Sequence, residues 1–325
     1  MYNESRLRQL WHYDGTSGLR CFIQSGTYWH LGIAAVPLCT NQGCKTLVPG
    51  PEVHSDYLFY ALKRAVPALQ MLGSGATFSE ISKTQVESFE ICLPSLSEQK
   101  HIAAILNEQL AAIECARAAA QTQLETAQQL PSVYLRAVFD SPDAQKWPKK
   151  RLKDIAEKIG DGTHQPPPFE NEGIPFLFVR NIVNGYLDFN VSKYVSQQTY
   201  DALTARFRPM RDDVLYSAVG SFGVAVPVDT DRPFTFQRHI AHIRPGRKLI
   251  DPRFLAYFLN SSQGRRQSEA RALGGAQRTV TLTSLANFEI PVPTLGEQKN
   301  IVAMLSDQLD AAKRTETTIR CAGAR

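Results

Sequence analysis

The sequence predicts an α+β chain in which β-rich domains alternate with long helices, and three observations carry that prediction. First, Phe89–Lys100 returns 199 residues later as Phe288–Lys299, and over residues 89–110 and 288–309 the two copies share 13 identities in 22 positions. Second, each copy opens a segment dominated by Ala, Gln, Glu and Leu; the first, from Glu98 to about Leu130, has no Gly or Pro, as a long helix requires. Third, Trp147–Pro293 is broken into short apolar or alternating runs separated by Gly, Asp, Asn and Pro, the pattern of strands and turns. A repeat this long means one structural unit used twice, not a solenoid of short units.

The predicted order is residues 1–94 as a partial first domain, 95–146 as a helical spacer, 147–293 as a complete second domain, and 294–325 as the start of a second helix. Each helix is entered through a proline and a capping box, Pro94 then Ser95-x-x-Glu98, and Pro293 then Thr294-x-x-Glu297. Ile102, Leu106, Ile113 and Leu124 recur at helical spacing and draw a narrow apolar stripe for pairing with another helix; Ile301, Leu305 and Leu309 are its counterpart in the second copy. Pro131 is expected to kink the first helix before Ser132–Phe139. Within the second domain, Ile174–Val179, Val214–Tyr216 and Phe236–Ile243 read as strands, and Asp251–Leu259 as a short amphipathic helix. Tyr57–Leu62 corresponds to Phe254–Leu259, and Thr40–Lys45 to the region of Phe236–Arg238. No earlier part of a first copy is recognised, so residues 1–20 are left without a counterpart.

At 43% hydrophobic and 21% charged, the composition is that of a globular protein. The net charge of +5 is compatible with a nucleic-acid partner. No run approaches the length of a membrane span, and Met1–Gly15 has no signal-peptide pattern. The six cysteines form no CxxC pair and read as free thiols in a reducing cytosol.

Catalytic signatures are missing from the sequence: there is no Walker A loop, no GxSxG, and no paired-carboxylate nuclease cluster. Gln165–Phe169 is proline-rich, with no side-chain acceptor ahead of Pro-Pro-Phe, and reads as a rigid loop. His239 and His242, three apart on one predicted strand, face opposite ways and cannot share a metal. Gly160-Asp161-Gly162-Thr163-His164 reads either as a turn or as a loop offering a hydroxyl and an imidazole to a ligand. Basic residues gather at Arg206, Arg208 and Arg211, and again at Arg265, Arg266, Arg271 and Arg278. The second group flanks Gly274–Thr279, a polar glycine-rich loop suited to DNA contact.

Taken together, Pro-x-Leu-x-Glu-Gln-Lys-x-Ile in both copies, Asp161–His164 with Ile174-Pro175 downstream, Thr40–Gly43, Ser132–Phe139, and Asp-Pro-x-Phe-Leu-x-Tyr-x-Leu at 251–259 resemble the DNA specificity subunits of type I restriction–modification systems. The resemblance covers essentially the whole chain, with an apparent truncation at the N-terminus and in the last helix. It implies β-rich target recognition domains on helices that pair as an antiparallel coiled coil. It also implies a non-catalytic, cofactor-free subunit that directs methyltransferase and endonuclease subunits to a bipartite target on double-stranded DNA. A second specificity chain is a further implied partner, and the cytoplasm the implied location. A helix over 95–130 would be about 50 Å long at 1.5 Å per residue. Residue type and loop position select Thr163, His164, Arg180, Asn181, Gln237, Arg238, Gln277 and Arg278 as DNA-facing, and the apolar stripes as the partner surface. The competing expectation is a fragment that assembles with methyltransferase or another specificity chain without reading DNA.

Overall fold

The computed structural model describes residues 3–6, 21–24, 29–35, 44–72, 81–274 and 278–323. It is a mixture of helix and sheet in two compact units, Met1–Ala119 and Ala120–Arg325, with the division falling inside the long helix between them.

The first unit runs β1 (Asn3–Arg6), β2 (Cys21–Gln24), β3 (His30–Ile33), β4 (Cys44–Leu47), α1 (Ser55–Leu72), α2 (Lys83–Ser88), β5 (Glu90–Leu93) and the opening of α3 (Leu96–Phe139). Strands β3, β2 and β4 form one antiparallel sheet in that order, and β1 pairs antiparallel with β5. Helix α1 buries Leu58, Leu62 and Leu69, one face of a 3.6-residue period, against Leu47, Ile81 and Val86. Ser82 starts α2 through a reciprocal box: its hydroxyl accepts from Gln85 N, and Gln85 Oε1 accepts from Ser82 N.

The second unit continues with β6 (Lys149–Arg151), α4 (Leu152–Ile155), β7 (Ala156–Asp161), β8 (Ile174–Leu177), β9 (Tyr194–Val195), α5 (Gln197–Thr204), β10 (Val214–Ser217), β11 (Ala225–Pro227), β12 (Thr235–Phe236), β13 (Ile240–Pro245), α6 (Pro252–Asn260), α7 (Ser262–Arg271), α8 (Leu282–Ala286), β14 (Glu289–Pro291) and α9 (Leu295–Gly323). An antiparallel sheet in the order β11-β10-β13-β7 is its backbone; β12-β8-β9 form a small mixed sheet, and β14 pairs with β6. Behind the main sheet, Leu135 and Phe139 of α3, Phe254 and Phe258 of α6, and Leu305 of α9 share one core. Phe139 meets Trp147, Phe254 and Phe258 edge to face, the arrangement that ring quadrupoles favour.

The predicted strand Phe236–Ile243 is interrupted. Ile240 N turns back to Gln237 O, so residues 237–239 form a turn between β12 and β13. Helix α3 runs through Pro131 to Phe139, and its last turns pack Leu135 and Phe139 into the core.

The repeat is legible in hydrogen bonds. Gln99 and Gln298, both fully buried, hold the same clamp. Gln99 accepts from His54 N and donates to Glu52 O and Pro94 O; Gln298 accepts from Asp251 N and donates to Leu249 O and Pro293 O. One turn or two further on, Tyr60 bonds Asn107 and Tyr257 bonds Ser306, again at matching positions. Thr294 and Glu297 close a full capping box, whereas in the first copy Ser95 Oγ accepts from Glu98 N.

Part of the second copy's strand pairing recurs among the described residues of the first. Strand β1 pairs with β5 as β6 pairs with β14, and the order β3-β2-β4 repeats β11-β10-β13 with the same antiparallel sense. What differs is the interior: 14 residues separate β1 from β2, against 62 between β6 and β10. The shortfall corresponds to the small lobe of β8, β9 and α5.

Removing the clamp is a direct test of its weight. Gln298→Met keeps the volume but strands Asp251 N and two carbonyls, and is expected to lower stability by about 2–4 kcal/mol. Urea denaturation measures it; a loss under about 0.5 kcal/mol, the level of ordinary surface changes, would show that the clamp is dispensable.

Candidate nucleic-acid interface

Antiparallel order brings the C-terminal ends of β7 and β10 and the N-terminal ends of β11 and β13 to one edge of the main sheet, so their loops gather there. Thr163 N donates to Phe236 O at 3.1 Å and Arg238 N donates to Thr163 O at 3.0 Å. These bonds fasten loop 161–165 to turn 237–239, with Thr163 and Gln237 forming a parallel bridge. Gly162 makes this approach possible: a Cβ there would stand 2.0 Å from Phe236 O. The segment around Thr279 joins the same edge through bridges to Val219 and Leu273.

Four predicted residues thus come together: Thr163, His164, Gln237 and Arg238. Thr163 Oγ1 donates to Gln165 O, fixing the loop's exit. His164 is exposed, and its Nε2 lies 3.0 Å from Asp161 Oδ2. Arg238 is exposed, and its guanidinium has no hydrogen bond or ion pair to any described residue. Beside it, His239 is shifted down by burial and by the Arg238 charge, which favours the neutral imidazole.

The remaining predicted residues lie differently. Arg180 is exposed and stacks on Phe178, 5.4 Å from the ring centre, on the small lobe. Asn181 is buried: its Oδ1 accepts from Phe178 N and its Nδ2 donates to Asp188 O, so its amide holds a turn and is not offered to a ligand. Arg278 is paired with Glu269 and lies over Phe222. Gln277 lies outside the described residues, as does the Thr40–Gly43 motif. Of the first basic group, Arg208 and Arg211 are tied to Asp201 and Asp231. Of the predicted stripe, Ile113 is 58% exposed, and Ile102, Leu106 and Leu124 are half-buried. Leu305 instead belongs to the second unit's core, with Ile301 and Leu309 packed against it.

Toward the other end of β10 and β13 sits a buried polar group that residue type alone did not reveal. Asp213 accepts from His242 Nε2 at 2.7 Å, from Arg244 Nε and Nη2 at 2.9 Å, and from Met210 N at 2.9 Å. Burial alone would raise the Asp213 carboxyl, but the His242 and Arg244 hydrogen bonds hold it below the usual carboxylate range. His242 stacks on Phe207 at 3.6 Å between ring centres, and its Nδ1 is buried without a partner. Its role is structural. Among the described residues, no group of three or more His, Cys, Asp or Glu is placed to hold a metal, and no helix is long and apolar enough to cross a membrane. Cys44, Cys92, Cys115 and Cys321 are free thiols.

The chain repeats a β-domain-and-helix unit, and in the second copy four loops gather at one end of the main sheet. A sequence model described as the type I restriction modification DNA specificity domain matches residues 20–126 and 144–320, and the chain belongs to that family. Among curated relatives, the EcoBI specificity subunit of Escherichia coli is 25% identical over 318 residues, 89% of this chain and 66% of that protein. The MjaIX specificity subunit of Methanocaldococcus jannaschii is 31% identical over 174 residues, 48% of this chain and 40% of that protein. The chain thus spans less than two thirds of either relative. Its fold is similar to a chain solved in work on the assembly and conformational transition of the type I R-M system, with a TM-score of 0.72 at 19% identity, covering 95% of this chain and 81% of that one. The HsdS subunit from Thermoanaerobacter tengcongensis gives 0.51 at 21% identity, covering 86% and 71%.

Proposed function

We propose that this chain is a non-catalytic DNA specificity subunit that directs type I methyltransferase and restriction endonuclease subunits to a bipartite duplex target. The observation that carries the reading is the convergence of Thr163, His164, Gln237 and Arg238, whose guanidinium has no partner among the described residues, at one end of the main sheet in a chain of this family. In this reading residues 147–293 are a full recognition domain, 1–94 a partial one, 95–146 the spacer and 294–325 the beginning of its partner helix. Lys and Arg supply affinity through phosphates, and the loop side chains supply discrimination at base edges. The exposed stripe around Ile113 faces methyltransferase subunits or a second specificity chain, and the assembly works in the cytoplasm. The relatives' names support DNA specificity within a restriction enzyme and leave the partner set as part of this proposal.

The test is to mix the full chain with modification subunits and a methyl donor, then map methylation. Methylation confined to one motif is expected. Assembly without sequence-selective methylation would favour the fragment that binds partners but does not read DNA, and methylation by the chain alone would contradict a non-catalytic subunit.

A further inference from the structure

Between loop 161–165, turn 237–239 and residues 279–282 lies a cavity of about 260 Å³. Asp161, Arg238, His239 and Thr279 form its polar wall; Val219 and Leu282 are among its apolar lining. Two of the polar groups are available. Arg238 has no described side-chain partner, and Asp161 commits only Oδ2, to His164. Their closeness follows from the backbone: Asp161 stands opposite Ala241 in the β7–β13 register, and Arg238 N bonds Thr163 O.

The pairing of charges decides what can enter. A phosphate wants donors only, and the Asp161 carboxylate would repel it. A base-pair edge in the major groove presents acceptors and donors side by side. Guanidinium suits the O6 and N7 acceptors of guanine, and carboxylate suits the N4 amino group of cytosine, so one G·C pair satisfies both walls. The neutral imidazole of His239 adds no second cation to the cavity. We propose that this cavity takes the major-groove edge of a single G·C base pair, Arg238 donating to guanine and Asp161 accepting from cytosine. The inference rests on the DNA-specificity reading and deepens it by naming two specificity-determining residues and the base pair they read.

The experiment is selection of bound duplexes from a random pool by the full chain assembled with modification subunits, using wild type, Arg238→Ala, Asp161→Asn and Arg265→Ala. Arg265 is exposed and outside the cavity, and serves as a charge control. Wild type is expected to prefer G·C at one position by about ten- to a hundredfold, the range of a good bidentate contact. Arg238→Ala and Asp161→Asn should each reduce that preference to a few-fold at the same position and leave the others intact, while Arg265→Ala should weaken binding evenly. A motif unchanged in both cavity variants, or an A·T pair at the position they affect, would overturn the assignment. So would loss at every position together in a variant whose circular dichroism is native. Absence of any selected motif for wild type would instead refute the specificity reading beneath it.

Discussion

Asp213→Ala is expected to destabilise the second unit by about 3 kcal/mol or more, because breaking a buried ion pair leaves its partners uncompensated. The Asp213 side chain is 1% exposed and is the shared acceptor for His242, Arg244 and Met210 N. Without it, the Arg244 guanidinium keeps a bond to Arg208 O and partial access to water, while His242 loses its buried partner altogether. Asp201→Ala, which breaks an exposed pair with Arg208, is the contrast and should cost under about 1 kcal/mol. Urea midpoints of the two variants measure the difference; equal losses would show that burial gives the Asp213 group no special weight.

The same group sets a pH dependence whose sign follows from its shifts. Burial lowers the His242 pKa beneath its ordinary value of 6.5, against the pull of Asp213 and with Arg244 and Lys158 also opposing charge. The unfolded chain therefore binds a proton at His242 at a pH where the folded chain does not, and stability rises with pH through that window. It is expected to fall as pH drops below about 6.5, the ordinary imidazole value, and His242→Asn should flatten the fall. The Asp213 carboxyl acts in a separate, lower window. Held below its usual range, it contributes stability above pH about 4 that is lost as pH falls through the folded value. Denaturation midpoints from pH 8 to 5 check the His242 window, with identical slopes in wild type and His242→Asn as the contrary result.

Gly162→Ala is expected to cost about 3 kcal/mol through overpacking and to abolish sequence-selective DNA binding. The added methyl would stand 2.0 Å from Phe236 O and 2.7 Å from Gln237 C and O, backbone atoms with no rotamer to relieve the clash. Loop and turn must separate, breaking the bonds between Thr163, Phe236 and Arg238 that assemble the loop edge. Gly296→Ala is the control: it meets nothing within 4 Å near the start of α9, and alanine suits a helix better, so stability should hold or rise slightly. Retained motif selection by Gly162→Ala would show that the close approach is not needed for recognition.

Much of this was legible in the residues, and the failures have physical reasons. The repeat at 89–110 and 288–309 was visible because buried Gln99 and Gln298 hold identical clamps, leaving little freedom to drift. The boxes that open α3 and α9 and the amphipathic α6 helix followed from residue spacing, and α6 is capped by Asp251, which accepts from Arg253 N and Phe254 N. The β1–β5 pair was not legible because pairing between distant strands leaves no fixed spacing to search for, and 14 residues separate β1 from β2 against 62 between β6 and β10. Asn181 was chosen for its side-chain type, yet type cannot tell an amide offered to DNA from one that holds a turn. The grouping of Asp213, His242 and Arg244 was not legible either: their meeting depends on the β10–β13 register, with Val214 opposite Ile243, and not on local sequence.

The most direct test of the central claim is amide hydrogen exchange of the full chain with and without a duplex carrying its selected motif. Protection is expected at residues 161–165, 218–223, 237–239, 272–274 and 278–281, at one end of the main sheet. Protection confined to α3 and α9, with those loops unchanged, would contradict the claim that this end reads DNA.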